Sequence, residues 1–242
     1  MKKYSLIFAL ILIAGFYHPP AARAQSKFDT RLEEAALVVN AIMRAPDNGI
    51  PLDFLNRAVC VGIIPSEKKF AFFVGGNYGR GALVCRRGGN GPWGAPSMIS
   101  VSGASYGIQF GGEGSDVVFI VMNPETAEKL MQQTLKLGMD ASAAAGPVGR
   151  RAEGATNAHF NAEILSYSRS KGLFAGLSLS GSVVKEDSNA NRKLYGRDLT
   201  PEQILIQGVV APPASAKALD GVLEKYSPHG GKPFPKTSAT SK

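Results

Sequence analysis

The chain predicts an α+β protein: a strongly bent, barrel-like antiparallel sheet, rich in glycine and flanked by helices. Three observations lead there. Short apolar runs bounded by Gly, Pro or polar residues recur between residues 58 and 122, as in a meandering sheet. Of the 40 residues from 75 to 114, 13 are glycine, a density that marks bulges, coiling and close backbone approach in a sharply bent sheet. On either side lie segments whose apolar residues recur three or four apart, the helical period.

The first 24 residues have the layout of a secretory leader. Lys2 and Lys3 form a basic start, and residues 6–16 are apolar. That run is too short for a bilayer core of about 30 Å, which takes roughly 20 helical residues. Ala22-Arg23-Ala24 then offers a peptidase site, so the mature chain is expected to begin at Gln25 and to be periplasmic or secreted. Without Lys2, Lys3 and Arg23, 24 basic and 19 acidic residues remain and the formal charge falls from +8 to +5. Such a balance suits an anionic membrane surface, and it is equally an ordinary solubility feature; no nucleic-acid partner is expected.

Residues 28–43 place Phe28, Leu32, Ala35, Ala36, Val39, Ile42 and Met43 on one helical face. Core packing is the first reading of that face. The second lays it on a membrane with Lys27 and Arg31 at phosphates, against which Glu33 and Glu34 count. A turn-rich run, 45–51, leads to a short helix from Leu52. Strands are expected at 58–64, 70–74, 81–86, 97–102, 106–110 and 117–122. Asn123 and Pro124 supply an N-cap and first helical residue, the period continues through Leu130, Met131, Thr134 and Leu135, and Gly138 is the expected stop. Strand character returns at 162–168, 173–179 and 182–185. Thr200-Pro201-Glu202-Gln203 has capping-box spacing for a helix to about Gln207, and a last helix covers 214–226. One domain is expected over 25–226, followed by a polar, disordered tail at 227–242.

Cys60 and Cys85 both survive cleavage. They pair as a disulfide, or they stand as two buried thiols on neighbouring strands; the second reading is preferred on sequence, and the first stays open.

Most catalytic chemistry lacks its residues. The mature chain has only His159 and His229, too few bases and ligands for a triad or a zinc site, and no cofactor is expected. Gly75-Gly76-Asn77-Tyr78-Gly79-Arg80-Gly81 lacks the Lys-Ser/Thr ending of a nucleotide loop. Gly103-Ala104-Ser105-Tyr106-Gly107 matches a hydrolase elbow in letters, but no helix pattern follows it. A non-enzyme is expected.

The most specific stretch is Tyr167-Ser168-Arg169-Ser170-Lys171-Gly172-Leu173-Phe174-Ala175-Gly176-Leu177-Ser178-Leu179-Ser180-Gly181, followed by Asn191-Arg192-Lys193-Leu194-Tyr195-Gly196. With Gly79-Arg80-Gly81-Ala82-Leu83-Val84, Trp93-Gly94-Ala95-Pro96-Ser97 and Ala145-Gly146-Pro147-Val148-Gly149-Arg150-Arg151, it resembles the SYLF family over about residues 36–207. The resemblance implies a lipid-binding domain, associated with phosphoinositides in eukaryotic relatives and with actin in a fungal branch. Read with its leader, the chain is identified as a bacterial exported member, so actin is not expected as a partner and anionic phospholipid is.

Binding an anionic headgroup needs surface cations with apolar residues nearby. Lys68-Lys69 before Phe70, Phe72 and Phe73, Arg150-Arg151 after a Gly-Pro turn, and Arg169 and Lys171 around the turn before Leu173 and Phe174 are the expected contacts. Taken singly, each pair is more simply a solvated charge on a hairpin tip. An envelope interaction protein that binds a protein or polymer is the alternative function.

Overall fold

The computed structural model describes residues 26–45, 49–72, 74–105, 114–132, 134–148, 159, 161–170, 173–228, 230 and 233, with backbone alone at 67–72, 74–76, 104, 105 and 114. Two helices, α1 (Lys27–Met43) and α2 (Leu52–Arg57), precede four long strands: β1 (Cys60–Phe72), β2 (Val74–Cys85), β3 (Ser97–Ser105) and β4 (Gly114–Val121). Helix α3 (Pro124–Met131), β5 (Thr134–Lys136), β6 (Ala143–Ala145), β7 (Ile164–Ser170), β8 (Leu173–Gly176) and β9 (Ser182–Glu186) follow. The described chain then forms α4 (Ser188–Tyr195), α5 (Pro201–Leu205) and α6 (Lys217–Tyr226).

The sheet order is β5-β9-β3-β2-β1-β4-β7-β6, with β8 also on β7, and every pairing is antiparallel except β6 with β7. Its two edges, β5 and β6, are joined through residues 137–142, where Leu137 bridges Ala141 and the Gly138 N–H donates to the Ala141 carbonyl. The sheet curls into a half-barrel, as the glycine density predicts. Alternate residues feed two cores. Val61, Ile63, Val118, Ile120 and Leu165 pack under α1, α2 and α6; Cys60, Ile64, Val117, Phe119 and Val121 pack on the other face with α3 and α5. Burial of each such side chain stabilises by about 1.5–3 kcal/mol. Gly62 sits opposite Phe119, and a Cβ there would lie 2.1 Å from the ring, so this rung admits only glycine.

Four sequence expectations are revised. The strands expected at 58–64 and 70–74 are one strand, β1, whose register shifts between Ile63 and Lys68. Pro65 and Ser66 lie at the bulge where that register shifts; Ser66 takes φ 53° and its N–H donates to Asp116 Oδ1 at 3.1 Å. Helix α3 stops at Met131 because Leu135 gains more on the sheet, buried and paired with Val184 of β9. Cys60 and Cys85 are register partners on β1 and β2 and form a disulfide, against the preferred thiol reading. Ser227, assigned by sequence to the tail, is fully buried. The strand expected at 106–110 lies outside the described residues.

Candidate functional site: a basic cleft between two helices and the sheet

The cleft is built by local signals in three segments. Ser26 and Asp29 form a capping box: Ser26 Oγ accepts the Asp29 N–H at 3.3 Å and Asp29 Oδ2 accepts the Ser26 N–H at 3.1 Å. That sets the helix start so that Lys27 and Arg31 fall one turn apart, both over the buried Phe28 ring at 5.3 and 5.8 Å. On β2, Tyr78 and Arg80 continue the face carrying Ala82 and Val84, beyond the helical cover. Arg80 Nε donates to the Tyr78 hydroxyl, which raises its pKa.

The third segment, α4, has no counterpart in the sequence reading. Asp187 is the N-cap, its Oδ1 accepting the Ala190 N–H at 3.1 Å, and Gly196 ends the helix at φ 72°. Asn191 is fully buried and pins α4 to β3: Oδ1 accepts the Met98 N–H at 2.7 Å, while Nδ2 donates to Ser97 Oγ at 3.0 Å and Glu186 Oε1 at 3.1 Å. The Tyr195 hydroxyl donates to the Pro96 carbonyl at 2.6 Å. With those two residues anchored, Arg192 and Lys193 are carried to the cleft wall.

The resulting cleft, about 330 Å³, is lined by Lys27, Phe28, Arg80, Asp187, Asn189, Ala190, Arg192 and Lys193. Four cations surround one carboxylate. Asp187 Oδ2 lies 3.8 Å from Arg80 Nε. Arg31 stands in electrostatic reach of Asp187 and Arg80; burial lowers its pKa, and its Nη1 is buried without a hydrogen-bond partner. Such an arrangement can hold a phosphate-bearing group through charge-assisted hydrogen bonds.

Of the residues expected from sequence, Arg169 and Phe174 are placed away from the cleft. Lys68 and Lys69 are within β1, paired with Tyr78 and Asn77, and not in a turn; their side chains lie outside the described residues, as do Phe73, Arg150, Arg151 and Lys171 altogether. Lys68 holds the register position opposite Tyr78. Arg169 is three strands from β2, roughly 14 Å at ordinary strand spacing. Its Nε and Nη2 converge on Asp116 Oδ2 at 3.0 and 2.8 Å, while Asp116 Oδ1 receives the bulge N–H of Ser66. That ion pair ties β1, β4 and β7 together. Phe174 is a core-edge ring, stacked on buried Tyr167 at 5.5 Å and 8°. Gly146 closes over the same tyrosine, where a Cβ would come 2.1 Å from the ring. The long signature thus builds a packed layer, while the short ones deliver Arg80, Arg192 and Lys193 to the cleft. Those cations were visible in the quoted segments; their convergence depends on α4 docking across β3.

Fold and signature residues together define a SYLF-type domain. The chain belongs to that family: the family described as Ysc84, "Las17-binding protein actin regulator", matches residues 102–226. It is similar to LAS seventeen-binding protein 3 of Saccharomyces cerevisiae, 38% identical over 221 residues, covering 88% of this chain and 47% of that protein. Protein YSC84 of the same yeast is 37% identical over 200 residues, covering 81% and 42%. SH3 domain-containing YSC84-like protein 1 of Bos taurus is 36% identical over 190 residues, covering 76% and 55%. The chain spans about half the length of these curated relatives.

One expectation is corrected by these matches. The exclusion of actin does not stand, because the family is described as an actin regulator and yeast proteins of that family align over most of the chain. The exclusion rested on the leader, residues 1–24, which lie outside the described residues, whereas the match to the family runs through the folded part.

Proposed function

We propose that this protein is a non-catalytic module that binds anionic phospholipid at a membrane surface, with the basic cleft receiving the headgroup. The observation that carries the reading is the convergence of Lys27, Arg80, Arg192 and Lys193 around a cavity of headgroup size. A surface of that charge is attracted to anionic lipid by about 1 kcal/mol per cation near the interface. The non-catalytic part is supported by the sequence around Ser105, the serine of the elbow-like motif, which is paired with Gly75 in β3 and is followed by no helical pattern. The same reading places the protein in the periplasm or outside the cell, supported by the leader-like residues 1–24 and by the disulfide, a bond that persists in oxidising compartments.

Flotation of the purified chain with neutral and anionic vesicles tests the reading. Selective flotation with anionic vesicles, weakened by salt, is expected; indifference to lipid charge removes it. A second reading, regulation of actin through a protein interface, is favoured by the family description. Co-sedimentation with filamentous actin in the absence of lipid would support that reading.

A further inference from the structure

We propose that the open sheet face beside the cleft is a second membrane-contact surface, one that lies flat on an anionic bilayer while the cleft takes a single headgroup. The inference rests on the lipid-binding reading and names the surface that orients the protein. Register places two rows of side chains on this face. One runs Arg80, Ser100, Lys185 and Thr134 across β2, β3, β9 and β5, and the next runs Tyr78, Ser102, Val183 and Lys136. The alternate residues Val101, Val184 and Leu135 point the other way, into the core shared with α3 and α5. On the open side Ser102, Lys185, Thr134 and Lys136 are exposed, and Tyr78 is 41% exposed.

An antiparallel sheet often leaves one face to water, but this one carries charge of a single sign. The charged residues in the two rows are Arg80, Lys185 and Lys136, all basic. Among the described residues neither Lys136 nor Lys185 has an ion-pair partner. The outward side of α1, by contrast, mixes Lys27 with Glu33 and Glu34. Lys185 is two strands from Arg80 and Lys136 is three, roughly 10 and 14 Å across the sheet. Cations so far apart exceed the reach of one small ligand and act almost independently at physiological salt. An extended anionic surface can meet all of them. Between them lie the Tyr78 ring and half-buried Val183, amphipathic and apolar groups that a bilayer interface accommodates and a fully hydrated polymer does not. Arg80 belongs to both the face and the cleft, so the two surfaces are continuous.

The test is partitioning of the full chain onto phosphatidylcholine vesicles with and without phosphatidylglycerol, beside two variants of equal net charge. K136Q/K185Q removes two cations from the face and leaves every cleft-lining residue in place. K217Q/K225Q removes two exposed cations from α6, which packs on α1. K136Q/K185Q is expected to bind the anionic vesicles about thirtyfold more weakly, the worth of two cations at an anionic surface, and K217Q/K225Q to stay within about twofold of the wild type. Unchanged melting of both variants verifies their fold. Equal loss in the two variants assigns binding to net charge and overturns the inference. Partitioning of K136Q/K185Q within about twofold of the wild type also overturns it, and in both cases anionic-lipid binding stands. Wild-type indifference to lipid charge overturns both readings. A loss in K136Q/K185Q confined to co-sedimentation with filamentous actin assigns the face to a protein partner and overturns its membrane role.

Discussion

Breaking the Cys60–Cys85 link is the sharpest stability test. The two residues are 25 apart in sequence, and closing a loop of that length removes denatured-state entropy equivalent to about 3.5 kcal/mol. In a protein of this size each kcal/mol moves the midpoint by about 2–4 °C, so the loss corresponds to about 7–14 °C. Alanine is the replacement of choice at both positions, because both side chains are fully buried among apolar neighbours and serine would bury an unpaired hydroxyl. Thermal unfolding of C60A/C85A beside the wild type, each with and without reductant, reads the effect. The variant should melt lower and be insensitive to reductant, while the wild type should fall toward it when reduced. A variant melting within about 2 °C of the wild type would refute the reasoning, since that corresponds to under 1 kcal/mol.

Other outcomes follow from particular residues. Arg86 is fully buried, with its pKa lowered to about 10 by desolvation; it donates to the Ala58, Gly91 and Ser227 carbonyls and lies 4.1 Å from the Trp93 ring centroid. Arg86→Ala should destabilise by about 3 kcal/mol in urea unfolding, because those acceptors lose their donor, and a loss under about 1 kcal/mol would count against this role for Arg86. Burial raises the Asp220 pKa from 3.8 to about 6, with Glu224 adding to the rise and Arg87 opposing it. The folded state therefore holds this proton more tightly than the unfolded state: the contribution is full below pH 3.8 and is lost as pH rises through 6. Asp220 is only part buried, so Asp220→Asn should stabilise by about 1–2 kcal/mol at pH 8 and by little at pH 4, measured as urea midpoints at both values. Phe174→Ala should cost about 2 kcal/mol through the lost Tyr167 stack. Its vesicle binding, measured where the variant is still folded, should match the wild type; a selective binding loss would return Phe174 to the lipid surface.

Much of the fold was legible because local chemistry and tertiary structure agree. Asn123-Pro124 and Thr200-Pro201-Glu202-Gln203 start helices where their caps indicate, and the glycine density marks the curled sheet. Legibility fails where long-range pairing overrides local pattern. Thr134 and Leu135 fit a helical period, yet the edge of β9 draws them into β5. Pro65-Ser66 carries turn chemistry, but its bulge is stabilised by Asp116, fifty residues away. The candidate site was half legible for the same reason. Lys27 and Arg31 stood out as potential phosphate ligands, and Arg80, Arg192 and Lys193 lay inside the family segments. Their meeting point depends on Asn191 reaching Ser97 and Met98, a contact that no sequence spacing encodes. Among the favoured basic residues, Arg169 has a partner, Asp116, that is invisible until β4 and β7 pair.

The central claim is that the cleft's cations bind anionic lipid, and R80A/R192A/K193A tests it most directly. All three side chains line the cleft, while Asn191, Tyr195 and the caps that hold α4 are left intact. At about 1 kcal/mol per cation, the triple change should weaken partitioning onto phosphatidylglycerol-containing vesicles by about a hundredfold and flatten its salt dependence. The melting temperature should stay near that of the wild type. Partitioning of the folded triple variant within about twofold of the wild type would contradict the account.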